Sequence, residues 1–118
     1  MRQLERAEQI ALFNWAAWQE KKYPELRVMF AIPNGGSRHK AEAKYLKASG
    51  VKAGVPDICL PIARHGYNCL WIEMKSPRGN QSVNQVCWQQ DLTEYGGHYV
   101  VCYSWEEAKD TIIWYLDK

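Results

Sequence analysis

Hydrophobic and polar positions along this chain change period several times, and each change marks an element. Leu4, Ala7, Ala11, Trp15 and Trp18 recur at three- and four-residue intervals, which predicts a helix over 4–20 that Tyr23-Pro24 stops. The run "LRVMFAI" (26–32) is short, apolar and β-prone, and Pro33-Asn34-Gly35-Gly36 closes it, so it reads as a first strand. Ser37 can cap a second helix that ends near Ser49, with Gly50 as its stop. Strands over 57–62 and 69–75 flank the polar turn Arg64-His65-Gly66-Tyr67-Asn68, and their closeness suggests an antiparallel hairpin. Ser82-Val83-Asn84-Gln85 has the form of a capping box opening a third helix, which Gly96-Gly97 ends. A strand over 98–103 follows, and Ser104-Trp105-Glu106-Glu107 reads as a second capping box before the last helix. The order α-β-α-β-β-α-β-α predicts an α/β fold with a mixed sheet flanked by helices.

Composition narrows this picture. A chain of 118 residues, 47% hydrophobic and 24% charged, is expected to form one domain over 1–118 with a real core and no low-complexity tract. A net charge of +2 does not argue for nucleic-acid binding by itself, but its distribution is uneven. Between positions 38 and 52 stand Arg38, Lys40, Lys44, Lys47 and Lys52 against the single acid Glu42, which is either a phosphate-binding patch or a solvated helix face. Cys59, Cys69, Cys87 and Cys102 form no CxxC, and His39, His65 and His98 show no ligand spacing, so the thiols read as reduced core residues and no zinc site is expected. No apolar stretch approaches the roughly 20 residues of a membrane span, and the first residues lack a signal-peptide pattern; no membrane association is expected.

Charges inside the apolar run 69–75 carry the chemistry. Strand side chains alternate, so Glu73 and Lys75 share one face while Ile72 and Met74 share the other. Asp57 opens the neighbouring strand, which can bring its carboxylate close to that of Glu73. Two such carboxylates repel each other, and a divalent cation relieves the repulsion. Oxygen donors suit Mg²⁺ or Mn²⁺, and Lys75 can orient a water and stabilise charge developing on phosphate. Taken alone, the Glu-x-Lys triplet reads equally as a salt bridge on an exposed strand.

Pro56-Asp57 followed after fifteen residues by Glu73-Met74-Lys75 resembles the PD-(D/E)XK nuclease motif. More narrowly, Asn34-Gly35-Gly36, the block "KASGVKAGVPD" (47–57), Glu73-Met74-Lys75-Ser76-Pro77 and Gln85 before Trp88 resemble the VRR-NUC, or virus-type replication-repair nuclease, family over nearly the whole chain. The resemblance implies a restriction-endonuclease-like core in which Asp57 and Glu73 bind metal, the Met74 carbonyl adds a ligand and Lys75 assists the water. It also implies an acid from the first helix, for which Glu5 and Glu8 are available. Glu8 has Leu4, Ala11 and Leu12 as helical neighbours, which places it on the expected buried stripe and selects it as the ligand.

The family pattern puts a glutamine of the third helix near the site, although Gln85 already has work in the capping box. Asn34, Arg38, Lys40, Lys44, Lys47, Lys52 and Arg78 are the candidate DNA contacts. The resemblance to small stand-alone members implies an endonuclease that acts as a homodimer on branched DNA such as four-way junctions, in the cytoplasm of a bacterial cell or a phage-infected host. A flap- or single-strand-selective nuclease would use the same residues. A catalytically silent DNA-binding module fits less well, because Asp57, Glu73 and Lys75 are all present. Six tryptophans and seven tyrosines supply material either for an interface or for the core.

Overall fold

The computed structural model describes residues 3–33 and 40–117. Helix α1 spans Gln3–Trp18, but its buried positions are Glu5, Leu12 and Ala16 rather than the stripe that hydrophobicity predicts. Leu4 and Trp18 are 65% and 86% exposed. Positions 5, 12 and 16 share one face at 3.6 residues per turn, and the contacts of α1 with the last helix and the sheet set which face turns inward.

The strand expected over 26–32 is mostly absent. A 3-10 helix occupies Pro24–Val28, with Pro24 fixing φ at its start, and only Phe30–Ala31 forms β1. Leu26 and Met29 are buried three residues apart, a 3-10 period rather than the two-residue alternation of a strand. Helix α2, Lys40–Ala48, buries no residue at all. It ends in a Schellman motif: the Val51 N–H donates to the Leu46 carbonyl at 2.9 Å and the Gly50 N–H to the Lys47 carbonyl at 3.2 Å, with Gly50 at φ +105°.

Strands β2 (Ile58–Leu60) and β3 (Leu70–Met74) form the expected antiparallel hairpin, with Ile58 opposite Ile72 and Leu60 opposite Leu70. Helix α3, Val83–Glu94, starts with a complete capping box: Ser82 Oγ accepts from the Gln85 N–H and the Gln85 side chain accepts from the Ser82 N–H. Helix α3 then serves as the crossover that lets β4, His98–Cys102, run parallel to β3. The last helix, α4, spans Trp105–Leu116. Its second capping box is only half formed, since Ser104 Oγ accepts from the Glu107 N–H while the Glu107 carboxylate accepts from the Tyr103 N–H, one residue earlier than a box requires.

The mixed sheet has the order β1-β2-β3-β4. On one face Leu70, Ile72 and Met74 join Leu12 and Ala16 of α1 and Ala108, Ile112, Tyr115 and Leu116 of α4 in a single core. Each of the fully buried aliphatic side chains contributes about 1.5–3 kcal/mol by leaving water. Alternation therefore sends Trp71 and Glu73 to the opposite face, on the side from which α3 packs against β4. Among the described residues, no helix is long and apolar enough to cross a membrane.

All four cysteines are free thiols. Burial pushes the thiols of Cys59 and Cys102 up to about 11, which leaves little thiolate near neutrality, whereas Cys87 is exposed on α3. Iodoacetamide at pH 8 is expected to modify Cys87 first and to leave Cys59 and Cys102 unmodified until the chain is denatured. Peptide mass spectrometry over a time course reads the order directly, and equal rates at Cys87 and Cys102 would show that the core opens readily.

Candidate active site

Asp57 stands immediately before β2 and is only 6% exposed. Its main-chain carbonyl accepts the Ile32 N–H at 2.7 Å, and its Oδ2 accepts the Met74 N–H at 2.7 Å, so the carboxylate is pinned to the end of β3. The segment leading into it is fixed as well. Gly54 lies at φ +86° against the start of α3, and the Trp88 indole donates to the Ala53 carbonyl at 3.0 Å. Residues 53–54 are thus clamped against α3 on the way into β2.

Glu73 has no exposed surface. Its Oε1 accepts from the Tyr99 hydroxyl in a short hydrogen bond and from Gln81 Nε2 at 3.3 Å. Its Oε2 has no hydrogen-bond partner among the described residues, and Lys75 Nζ lies 4.0 Å from it. Burial, followed by the bond to Glu73, raises the pKa of Tyr99 far above the ordinary tyrosine value, so its hydroxyl keeps its proton as a donor. Gln81 Nε2 also donates to Gln89 Oε1 at 2.9 Å, which ties Glu73 to α3.

The Lys75 N–H donates to the Cys102 carbonyl at 2.9 Å, on the β4 edge. Successive peptide groups point to opposite edges of a strand, so the N–H and carbonyl of Met74 both point toward β2, where the N–H meets Asp57. The expected Met74 carbonyl ligand therefore lies on the Asp57 side of β3.

The inward acid of α1 is not Glu8, whose helical neighbours are mostly apolar. Glu5 is the buried acid of α1, at 8% exposure, whereas Glu8 is half-buried. Glu8 Oε1 accepts the Trp105 N–H at 3.2 Å, satisfying one of the open N–H groups at the start of α4 and meeting its positive dipole end. Glu8 thus has a partner that needs no metal. Among the described residues, no three His, Cys, Asp or Glu side chains converge as a metal-binding group, so neither early acid completes a cluster with Asp57 and Glu73.

Two carboxylates and a main-chain carbonyl are nonetheless a sufficient protein contribution for Mg²⁺ or Mn²⁺, which retain waters and take phosphate oxygens. The buried Glu73 Oε2, which accepts no hydrogen bond among the described residues, fits such a cation, since an anionic oxygen without hydrogen bonds is otherwise costly to bury.

Gln85 is held in the capping box, and the amide that reaches Glu73 belongs to Gln81. Lys40, Lys44 and Lys47 are exposed on α2, and Lys52 and Arg78 are exposed in the flanking loops. Asn34 and Arg38 lie outside the described residues. Sequence reading missed Gln81, Gln89 and Tyr99. The only signal available for Tyr99 was a tyrosine two positions into a strand that could pair with the one carrying Glu73.

An acid just before β2, an acid on β3 with a lysine just beyond its end, and a mixed sheet flanked by helices match the pattern of PD-(D/E)XK nucleases. The VRR-NUC domain matches residues 5–106. A solved structure described as a VRR_NUC domain protein superposes with a TM-score of 0.81 at 27% sequence identity, covering 98% of this chain and 90% of that one. No curated protein matches the chain. The chain belongs to the VRR-NUC family, and DNA is the partner that a nuclease domain of this kind implies.

Proposed function

We propose that this domain is a divalent-metal-dependent DNA endonuclease that hydrolyses phosphodiester bonds in branched DNA, four-way junctions included, as a homodimer. The observation that carries the catalytic reading is Glu73 Oε2, a buried carboxylate oxygen without a hydrogen-bond partner among the described residues, beside Lys75 and on the same sheet end as the pinned Asp57. Asp57, Glu73 and the Met74 carbonyl would hold the cation. When bound, Mg²⁺ or Mn²⁺ supplies acidification of a water and neutralisation of charge on the phosphate.

The side chains of the domain supply position. The Met74 N–H fixes one oxygen of Asp57 and holds that carboxylate at the end of β3. Lys75, largely buried along its stem, keeps its ammonium beside Glu73, where it can orient the attacking water and meet the negative charge that grows on phosphate. In the net reaction water adds to phosphorus, the phosphorus–oxygen bond to the leaving strand breaks, and that oxygen takes up a proton.

The exposed lysines of α2 suit a DNA backbone, because a helix that buries nothing of its own core is free to lie along phosphates. Two-fold pairing of sites suits paired cuts. Exposed aromatics support the dimer reading: Tyr45, Tyr95 and Trp114 are 70%, 76% and 51% exposed, the residue types enriched at interfaces.

The test compares wild type with Asp57→Ala on end-labelled four-way junction, flap and linear duplex, in Mg²⁺, Mn²⁺ and EDTA. Symmetric junction cuts that need metal, and that fall at least ~10²-fold in Asp57→Ala, are the expected result. Preferential flap cleavage would retain the site and replace the substrate reading. Cleavage in EDTA would overturn the metal reading.

A further inference from the structure

The two oxygens of Glu73 have different surroundings. Oε1 accepts two hydrogen bonds, while Oε2 accepts none from the described residues and faces Lys75 Nζ. A glutamate side chain has three rotatable bonds and can offer either oxygen, or both, to a cation. At this site the choice has been made before any cation arrives.

The groups that make it sit on separate elements. Tyr99 lies on β4, where its partner across the parallel pair is Trp71, so its hydroxyl reaches diagonally to a residue two positions further along β3. Its ring is 7% exposed and cannot swing without repacking. Gln81 comes from the loop before α3. An amide nitrogen has two hydrogens, and both are spent: one on Glu73 Oε1 and one on Gln89 Oε1. The Gln81 amide could not be reversed without setting its oxygen against two acceptors. Gln89 is carried by α3, the helix whose first turn also packs on Gly54, three residues before Asp57. One helix therefore references both carboxylates.

We propose that Tyr99 is a positioning residue which, backed by the Gln81–Gln89 amide pair, locks the Glu73 carboxylate so that Oε2 alone is presented to the divalent cation. The assignment rests on the metal-dependent reading above and adds to it how the site is preorganised. Tyr99 touches neither DNA nor the reacting atoms in this role. It acts through Glu73, and its removal should be felt as weaker cation binding rather than as weaker DNA binding.

The experiment is calorimetric titration of Mn²⁺ into the full chain without DNA, for wild type, Tyr99→Phe, Gln81→Met, and Gln81→Met combined with Gln89→Leu. DNA affinity in EDTA and the Mn²⁺ concentration for half-maximal cleavage are measured on the same preparations. Tyr99→Phe keeps the ring and deletes only the donor. It is expected to weaken Mn²⁺ binding about 10–100-fold, as loss of a group that orients a metal ligand does, and to raise the half-saturating Mn²⁺ in step, with DNA affinity unchanged. Gln81→Met is expected to act in the same direction, with Gln89→Leu silent in its background because the relay is already cut. Unchanged Mn²⁺ affinity in a folded Tyr99→Phe, or parallel loss of Mn²⁺ and DNA binding, overturns the assignment while leaving the nuclease reading in place. A wild type that takes up no Mn²⁺ overturns both.

Discussion

Glu73→Gln is expected to abolish cleavage and to make the protein harder to unfold. Glu73 sits at zero exposure with its Oε2 lacking a hydrogen bond among the described residues, and Lys75 is 4.0 Å away rather than in hydrogen-bond contact. A buried carboxylate oxygen left without a hydrogen bond costs stability, and neutral glutamine of nearly the same shape removes that cost. The donors already present dictate how the amide would sit. Tyr99 and Gln81 both donate to Oε1, so the glutamine oxygen would keep that place and its NH₂ would take the place of Oε2. A donor there faces the Lys75 ammonium and offers a cation nothing.

By comparison with the loss of single electrostatic groups at other sites, turnover should fall by at least ~10²–10³-fold. The gain in stability should be about 0.5–2 kcal/mol, seen as a rise of several degrees in melting temperature measured without metal. Retained cleavage would remove Glu73 from the site. Lost cleavage with a lowered melting temperature would show instead that the Glu73–Lys75 pair stabilises the fold more than the missing hydrogen bond at Oε2 costs.

Local chemistry was legible in the sequence and long-range geometry was not. The Ser82–Gln85 capping box and the Gly50 stop are written within a few residues, and both form as read. The alternation that puts Glu73 and Lys75 on one face is equally local and also holds: Lys75 Nζ lies beside Glu73 Oε2, and Ile72 and Met74 point into the core. The phase of α1 is different in kind. Leu4 and Trp18 are apolar but exposed, and the inward face was chosen by what α4 and β3 offered to Leu12 and Ala16. The expected burial of Glu8 rather than Glu5 rested on that same phase, and it is Glu5 that turns inward. The residues 26–32 misled for a related reason: Leu26 and Met29 satisfy the core through a 3-10 turn, and apolar content does not distinguish that turn from a strand. Tyr99 is 26 residues from Glu73 in the chain, so only the parallel pairing of β3 and β4 brings them together.

Gly54→Ala should damage the fold and the site together, whereas Gly50→Ala should damage neither seriously. Both glycines have positive φ, +86° and +105°, so alanine pays the left-handed backbone penalty of roughly 1–2 kcal/mol at each. Their surroundings differ. A Cβ at Gly50 meets nothing within 4 Å, but one at Gly54 would lie 2.6 Å from Asn84 Cβ and 2.9 Å from the Asn84 carbonyl carbon. The second contact is with helix backbone, which cannot turn aside as a flexible side chain can. Relief requires the 53–54 segment to lift away from α3, stretching the Trp88 bond to Ala53 and pulling on Asp57, three residues further along. Overpacking of this kind adds about 1–3 kcal/mol to the backbone strain. Urea unfolding should therefore place Gly54→Ala about 2–5 kcal/mol below wild type and Gly50→Ala within about 2 kcal/mol of it. Cleavage measured below the unfolding transition should also drop for Gly54→Ala alone, because the bond from the Met74 N–H to Asp57 Oδ2 depends on where that segment ends. Equal stabilities for the two variants would mean that the contact with α3 is not what requires glycine at 54, and normal cleavage by folded Gly54→Ala would detach the placement of Asp57 from the clamp.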